Sequence, residues 1–371
     1  MKVLLTATVQ SHICQFHRPL VEMLHDHGCQ VHVAARNNLA EKNGLKLDFV
    51  ERVYNVPFSR SPHSLDNLKA YRILKRIIDQ GDYDVIHCNT PMGGIITRLA
   101  ARKSRKMGTK VYYTAHGFHF YKGAPLRNWF IFYPIEKFFC YLTDQLITIN
   151  KEDYKLASKH FKTTVRHIYG VGVDEKRYHP ISDEKKIEIK KKMGLENNYP
   201  IILCIGELLP NKNQKTAILT VSVLIKSYPN AKLLLAGNGP ERETIETMVK
   251  ELNLVDHVHF LGYVTNLETY QGMVDMVISC SYREGMPLNI VEALLSGNPV
   301  AASDNRGHRE LIKNGWNGFL VEADDVENFT SCLLLLSRNK RKKEIFFSNG
   351  RKAAKKYTAS FVKRQLEKIY F

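Results

Sequence analysis

The sequence has no apolar run near the roughly 18 residues that a membrane-spanning helix needs, so no transmembrane segment is expected. Its seven cysteines are odd in number, scattered and never in C-x-x-C spacing. That argues against a disulfide framework or a zinc ribbon and for a reduced, cytoplasmic setting. There are 15 histidines, but no grouping of His, Cys and acidic residues has metal-site spacing, and no DxD-like pair occupies a suitable loop. Chemistry without a metal or cofactor is therefore the expectation. Solenoid-period repeats and low-complexity tracts are absent too. The opening MKVLLTATVQSH turns polar after about eight residues and has no small-residue cleavage site, so it reads as a buried strand rather than a signal peptide.

Acidic residues are outnumbered. The chain carries 54 Lys/Arg against 37 Asp/Glu, a formal net charge of +17. Residues 1–170 hold 25 Lys/Arg against 13 Asp/Glu, a balance of +12, and the rest a balance of +5. A basic first half suggests an anionic partner: a membrane surface, a nucleic acid or a phosphorylated substrate. The Lys/Arg residues are dispersed and no nucleic-acid module or aromatic platform is recognisable, so no nucleic-acid partner is expected. Residues 110–141 interleave charge with aromatics such as Tyr121, Trp129, Phe130 and Phe138. This pattern suits either a headgroup-facing surface or a core helix. The basic residues singled out for a surface role are Arg98, Arg102, Lys103, Arg105, Lys106, Lys122 and Arg127.

What is present in quantity is alternation. Short β-branched, apolar runs at 3–9, 30–35, 84–88, 110–115 and 145–149 in the first half, and at 201–206, 231–237, 276–280, 299–303 and 318–321 in the second, are separated by helical patterns. The helices are expected at 66–80, 93–107, 213–226, 241–252 and 288–295. Strands apolar on both faces and alternating with helices predict parallel sheets covered on both sides. Two such runs predict two doubly wound α/β domains, whose ligands sit beyond the carboxyl ends of the strands. The break falls near 170–200, giving a first domain over 1–170 and a second over 171–356, with a C-terminal helix at about 357–371 returning to the first.

The strongest local signal is Ser281-Tyr-Arg-Glu284-Gly-Met-Pro-Leu-Asn-Ile-Val-Glu292-Ala. A buried strand runs into a Gly/Pro turn and then an apolar helix, with Pro287 suited to the first helical position. The free N–H groups around Gly285, Met286 and Leu288 would form a phosphate site. Glu284 and Glu292 are carboxylates that paired sugar hydroxyls could satisfy. His116 follows a buried strand, on a loop that would face the ligand.

The Glu284/Glu292 spacing resembles the signature of family 4 glycosyltransferases, which have the GT-B fold of two Rossmann-like domains with a cleft between them. Flanking blocks also match: Ile205-Gly206 with Lys212-Asn213, Ala236-Gly-Asn-Gly239-Pro240, Phe260-Leu-Gly-Tyr263, Val274-Asp275 and Gly307-His-Arg-Glu310. In the first half His87-Cys-Asn-Thr-Pro91, Thr114-Ala-His116-Gly-Phe-His119 and Ile149-Asn-Lys-Glu-Asp153 resemble bacterial exopolysaccharide and capsule glycosyltransferases. The resemblance implies retaining transfer of a hexose or N-acetylhexosamine from a UDP-sugar to a polyprenyl-diphosphate-linked saccharide. It implies that Glu292 grips the ribose, that Glu284 contacts the transferred sugar beside Gly285 and Met286, and that Lys212 neutralises the diphosphate. Gly206, Gly239, Tyr263, Pro287 and Leu288 complete the implied donor site, and His116 lines the reacting sugar. Such an enzyme would act peripherally on the inner face of the plasma membrane. The nearest alternatives are a nucleotide-sugar epimerase on the same fold and a non-catalytic partner subunit.

Two positions depart from the pattern. Glu207 stands where the family usually has an arginine facing the diphosphate, and Gln10-Ser-His12-Ile-Cys-Gln15 replaces the paired glycines of the first loop. A carboxylate against a diphosphate would be repelled by about 1–4 kcal/mol at 4 Å, depending on the dielectric.

Overall fold

Each of the two alternating runs closes into its own parallel sheet. The computed structural model describes residues 1–42 and 44–371, and the chain divides into one unit of Met1–Gly172 with Ala359–Phe371 and a second of Val173–Thr358. In the first, β1 (Lys2–Val9), β2 (Gln30–Arg36), β3 (Arg52–Asn55), β4 (Val85–Asn89), β5 (Lys110–Ala115), β6 (Gln145–Thr148) and β7 (Thr164–His167) lie in the order β3-β2-β1-β4-β5-β6-β7. In the second, β8 (Ile201–Ile205), β9 (Lys232–Ala236), β10 (Val258–Gly262), β11 (Met276–Ser279), β12 (Val300–Ser303) and β13 (Phe319–Val321) lie in the order β10-β9-β8-β11-β12-β13. Both are Rossmann-like sheets, and the order reverses between β1 and β4 and again between β8 and β11. Loops leaving these four strands therefore frame a crevice in each unit.

Burial explains which strands the sequence revealed. The whole of β4 is buried, as is all of β1 after Lys2, so both read as continuous apolar runs. The strands not foreseen are β3, β7 and β10, each at the edge of its sheet. Arg52-Val-Tyr-Asn is mostly exposed, Thr164-Val-Arg-His alternates with solvent, and both carry polar side chains, so neither makes a run. The helix expected at 93–107 is two segments, Pro91–Ala100 and Arg102–Lys106.

Arg98 is not a surface cation. It is buried, stacks on Tyr113 at 4.0 Å, and binds Glu136 at 3.1 Å, while the Tyr113 hydroxyl donates to the same carboxylate at 3.1 Å. Its Nε donates to the Gly94 carbonyl at 3.0 Å. Losing one partner of such a pair costs about 3–5 kcal/mol, because the other charge is stranded in the core. The terminal helix Ala359–Tyr370 belongs to the first unit: the Tyr370 hydroxyl lies 2.5 Å from His87 Nδ1, and Gln365 accepts from the Tyr169 N–H at 3.0 Å.

Candidate functional site

In the second unit the β8 loop, Gly206 to Lys212, is pressed against the loop after β9. A Cβ on Gly237, which has φ +145°, would lie 2.0 Å from the Gly206 carbonyl oxygen. One on Gly239 would lie 2.3 Å from the Leu208 carbonyl oxygen. Only glycine allows this approach. Backbone bonds from Gly206 to Ala236 (2.9 Å) and Leu208 to Asn238 (3.0 Å) fix it. A second set ties the same loop to the one after β11: Tyr282 N–H donates to the Asn211 carbonyl at 2.9 Å, and the Asn211 amide donates to the Arg283 carbonyl at 3.0 Å.

Across this crevice Lys212 Nζ meets Glu284 Oε1 at 2.5 Å. Both side chains are largely sheltered, 25% and 12% exposed. The lysine stem lies along Gly206, whose added Cβ would be 3.3 Å from Lys212 Cδ. Gly307 backs the glutamate so closely that a Cβ there would lie 2.6 Å from Glu284 Cβ. Beyond Glu284 the chain turns through Gly285 and Met286 into helix Leu288–Leu295. Pro287 is its N-cap, one position earlier than expected, with an extended ψ of 99°. The N–H groups of Gly285, Met286 and Leu288 have no acceptor among the described residues, so donors stay open to a ligand at the entry to this helix.

Glu292, in the second turn of that helix, has a different environment. Burial pushes its carboxyl up to about 7, against the opposing pull of Arg177 and a hydrogen bond from Tyr178. Arg177 itself binds Glu268 at 2.7 Å and the Thr265 carbonyl at 3.2 Å. The resemblance had given no role to Arg177, Tyr178 or Glu268. His308 is another addition, held by Ser279 at 3.1 Å and the Ser303 carbonyl at 2.7 Å, and burial keeps it below the usual histidine range.

The remaining expected donor residues are dispersed around this core. Tyr263 follows β10 and is half-buried. Phe260, in the matching block that ends at Tyr263, has its ring covered by the Arg242 guanidinium at 4.2 Å and packs on the core. Glu207 is exposed and makes no ion pair among the described residues. Asp275 is structural: it accepts from the Ile201 N–H at 2.9 Å and binds Lys186 at 3.1 Å and Lys190 at 3.2 Å, tying β11 to β8.

In the first unit His116 does follow β5, and its Nε2 lies 3.2 Å from Asn89 Oδ1 at the end of β4. Burial lowers it to about 4, so the imidazole is neutral at physiological pH. It is not alone there: His12 Nε2 is also 3.2 Å from it, and His17 completes a cluster that sequence spacing did not disclose. His119 turns elsewhere, stacking on Phe132 at 4.7 Å.

Residues 185–353 match the family described as glycosyl transferases group 1, and residues 2–150 the one described as glycosyl transferase 4-like. The chain is 38% identical over its whole length to EpsD of Bacillus subtilis (strain 168), whose name assigns it provisionally to the glycosyltransferases, with 96% of that protein covered. It is 26% identical over 314 residues, 82% of this chain and 80% of the other, to an Escherichia coli UDP-Gal:alpha-D-GlcNAc-diphosphoundecaprenol alpha-1,3-galactosyltransferase. Among solved structures, Anabaena HepE in complex with UDP and glucose superposes with a TM-score of 0.79 at 18% identity, covering 100% of this chain and 99% of that one. The lipopolysaccharide glycosyltransferase WaaG does so at 0.75 and 15%, covering 99% of each. These two share the GT-B fold.

Proposed function

The chain belongs to the glycosyltransferases, with 4-like and group 1 domains in series, and on that premise we propose that it is a retaining enzyme. Its donor is a UDP-hexose or UDP-N-acetylhexosamine and its acceptor a polyprenyl-diphosphate-linked saccharide, in the assembly of an exopolysaccharide or capsule. The observation that carries this reading is the Lys212–Glu284 contact across the β8/β11 crevice, beside N–H groups left without acceptors. The Escherichia coli relative named above uses UDP-Gal and a diphosphoundecaprenol-linked sugar, and HepE holds UDP and glucose.

In this reading the diphosphate lies against Lys212 and the N–H groups of Gly285, Met286 and Leu288. Cleavage of the anomeric C–O bond leaves an extra negative charge on the β-phosphate, and positive groups already in place lower that barrier. Glu284 accepts from hydroxyls of the transferred sugar, and Glu292 from the ribose. The acceptor oxygen forms the new bond on the face the phosphate leaves, and the departing phosphate oxygen takes its proton. No side chain serves as covalent nucleophile, and no metal or cofactor enters the step. His116 lines the acceptor side as a neutral imidazole.

The acceptor class also favours a membrane-facing surface. In helix Leu126–Phe139, Trp129, Phe132 and Tyr133 pack inward, while Leu126, Phe130, Ile131 and Phe138 are exposed. Met107 and Tyr141 are exposed too, and Arg105 binds Asp144 at 2.9 Å and the Tyr141 carbonyl at 3.0 Å. With exposed Arg102, Lys103, Lys106, Arg127 and Lys137 alongside, this is apolar surface fringed by cations, suited to an anionic leaflet.

The test is incubation of the purified protein with a panel of UDP-sugars and lipid-linked acceptors, read by mass spectrometry. A product heavier than the acceptor by one sugar is expected. Acceptor-free conversion of UDP-N-acetylglucosamine would instead identify an epimerase. Turnover only when another transferase is added would identify a partner subunit, the reading that Glu207 favours.

A further inference from the structure

Helix Gln10–Phe16, which carries His12, is followed directly by His17, and His116 leaves the end of β5. One ring nitrogen from each of these three histidines lies within 4.8 Å of the others. The ring centroids are 4.5 Å apart for His12 and His116, 5.3 Å for His12 and His17, and 5.4 Å for His17 and His116. The three come from sequence positions that share no metal-binding motif; the parallel order of the sheet brings them together.

Hydrogen bonding alone leaves this cluster unsatisfied. His17 is buried, at 4% exposure, and its Nε2 has no partner among the described residues. His116 Nε2 faces both Asn89 Oδ1 and His12 Nε2 at 3.2 Å. The Asn89 amide is oriented by donation from its Nδ2 to the Thr6 carbonyl at 3.3 Å, so its oxygen faces the histidine. If the His116 proton sits on Nε2 it can serve the asparagine or His12, and no tautomer supplies His17 Nε2. A fourth ring, His87, stands beside His17 at 6.4 Å but has both nitrogens engaged, by Tyr370 at 2.5 Å and Thr114 at 2.7 Å. Burial holds His12, His17 and His116 far to the neutral side, with mutual repulsion adding to it for the first two. Neutral imidazoles offer lone pairs, which repel an anion and bind a Lewis acid.

We propose that His12, His17 and His116 form a binding site for one divalent transition-metal ion of the zinc class. Tetrahedral zinc–imidazole bonds of about 2.0–2.1 Å put ligand nitrogens about 3.3 Å apart, and the His12–His116 Nε2 pair is at 3.2 Å already, with the His116 proton moved to Nδ1 when the ion binds. The His17 nitrogen lies within 4.8 Å of both and has to move closer to enter the same shell. No carboxylate among the described residues belongs to the cluster, which selects Zn²⁺, Co²⁺, Ni²⁺ or Cu²⁺ over Mg²⁺ and Ca²⁺. His12 and His116 are only half-buried, so an ion has a route in and a fourth position stays open to water. The charge of Arg60 acts on His12 and opposes the ion, limiting its affinity. This site does not depend on the transferase reading. If that reading also holds, an ion here occupies His116 and inhibits transfer.

The experiment uses the full chain, stripped with EDTA and titrated with Zn²⁺ against a chromophoric chelator and with Co²⁺ followed by visible spectroscopy. One equivalent of each is expected, with tetrahedral Co²⁺ bands. His12→Gln and His17→Gln should each weaken binding by about tenfold or more, whereas His119→Gln should not. Melting curves check the variants; should the buried His17→Gln fail to fold, the half-buried His12→Gln decides. Absence of stoichiometric binding, or binding indifferent to both substitutions, overturns the proposal.

Discussion

Lys212 reaches from the β8 loop to Glu284 after β11, with Nζ and Oε1 2.5 Å apart across the point where the strand order reverses. The pair satisfies two sheltered charges without donor, and an incoming diphosphate competes with the carboxylate for the ammonium group. Lys212→Ala should therefore act on the chemical step, cutting kcat by about 10²- to 10³-fold, with UDP affinity changed less than tenfold. Single-turnover kinetics with calorimetry separates the two, and an unchanged kcat removes Lys212 from the reacting phosphate.

Glu292 gives a pH signature. Its folded-state value near 7 lies above the ordinary 4.5, so between those values the folded chain keeps a proton that the unfolded chain has released. Stability then falls as pH rises through that window, by up to about 3.5 kcal/mol at about 1.4 kcal/mol per unit. Glu292→Gln should raise the melting temperature at pH 8 and flatten the dependence between pH 5 and 7, yet weaken UDP binding. Binding to the wild type should release a proton near pH 6.5. Calorimetry in two buffers of different ionisation enthalpy measures that release, and equal heats would place the ribose elsewhere.

Gly237 is a packing constraint rather than a flexible joint. With φ +145° and 2.0 Å between an added Cβ and the Gly206 oxygen, Gly237→Ala must push the β8 loop away from the β9 loop. A loss of about 1–3 kcal/mol is expected, together with a fall in kcat like that of Lys212→Ala, since that loop carries Lys212. A Gly237→Ala protein with wild-type melting and turnover would show that the loops do not need this contact.

Glu207 is exposed and unpaired among the described residues, at the strand end that leads to Lys212. Glu207→Arg should tighten UDP binding by up to about tenfold, or 1.4 kcal/mol, by replacing a repelling charge with an attracting one. Titration at low and high salt tests it: the gain should shrink as salt rises, and no gain at low salt would put Glu207 outside the field of the diphosphate.

These residues differ in how legible they were. Both sheets were readable because buried parallel strands are written as unbroken apolar runs, whereas the edge strands β3, β7 and β10 mix polar and apolar residues. The contact between Lys212 and Glu284 joins residues that the resemblance had already named for separate roles. The neighbours of Glu292 were not readable, since Arg177 and Tyr178 arrive from a loop more than a hundred residues upstream. The histidine cluster was hidden for the same reason: His12 and His17 meet His116 only because β1 and β5 both flank β4. In helix Leu126–Phe139 the aromatic density was visible but not its division into two faces, and the burial of Arg98 depends on Glu136, which sits on that helix.

That division leads to the final prediction. Leu126, Phe130 and Phe138 are 74%, 78% and 61% exposed, so replacing them should leave the core intact. Phe130→Ser with Phe138→Ser should keep the wild-type melting temperature within a few degrees while abolishing flotation with liposomes containing anionic lipid. Charge reversal at Arg102, Lys103 and Lys106 should weaken the same binding by about 1 kcal/mol per residue removed, mainly at low salt, because screening acts within about 8–10 Å. Arg98, buried against Glu136, should behave differently: Arg98→Ala lowers stability and leaves the binding of whatever folds unchanged. Equal flotation with neutral and anionic vesicles at low salt would sink the electrostatic part of the idea. Undiminished flotation of the double serine variant would sink the apolar part.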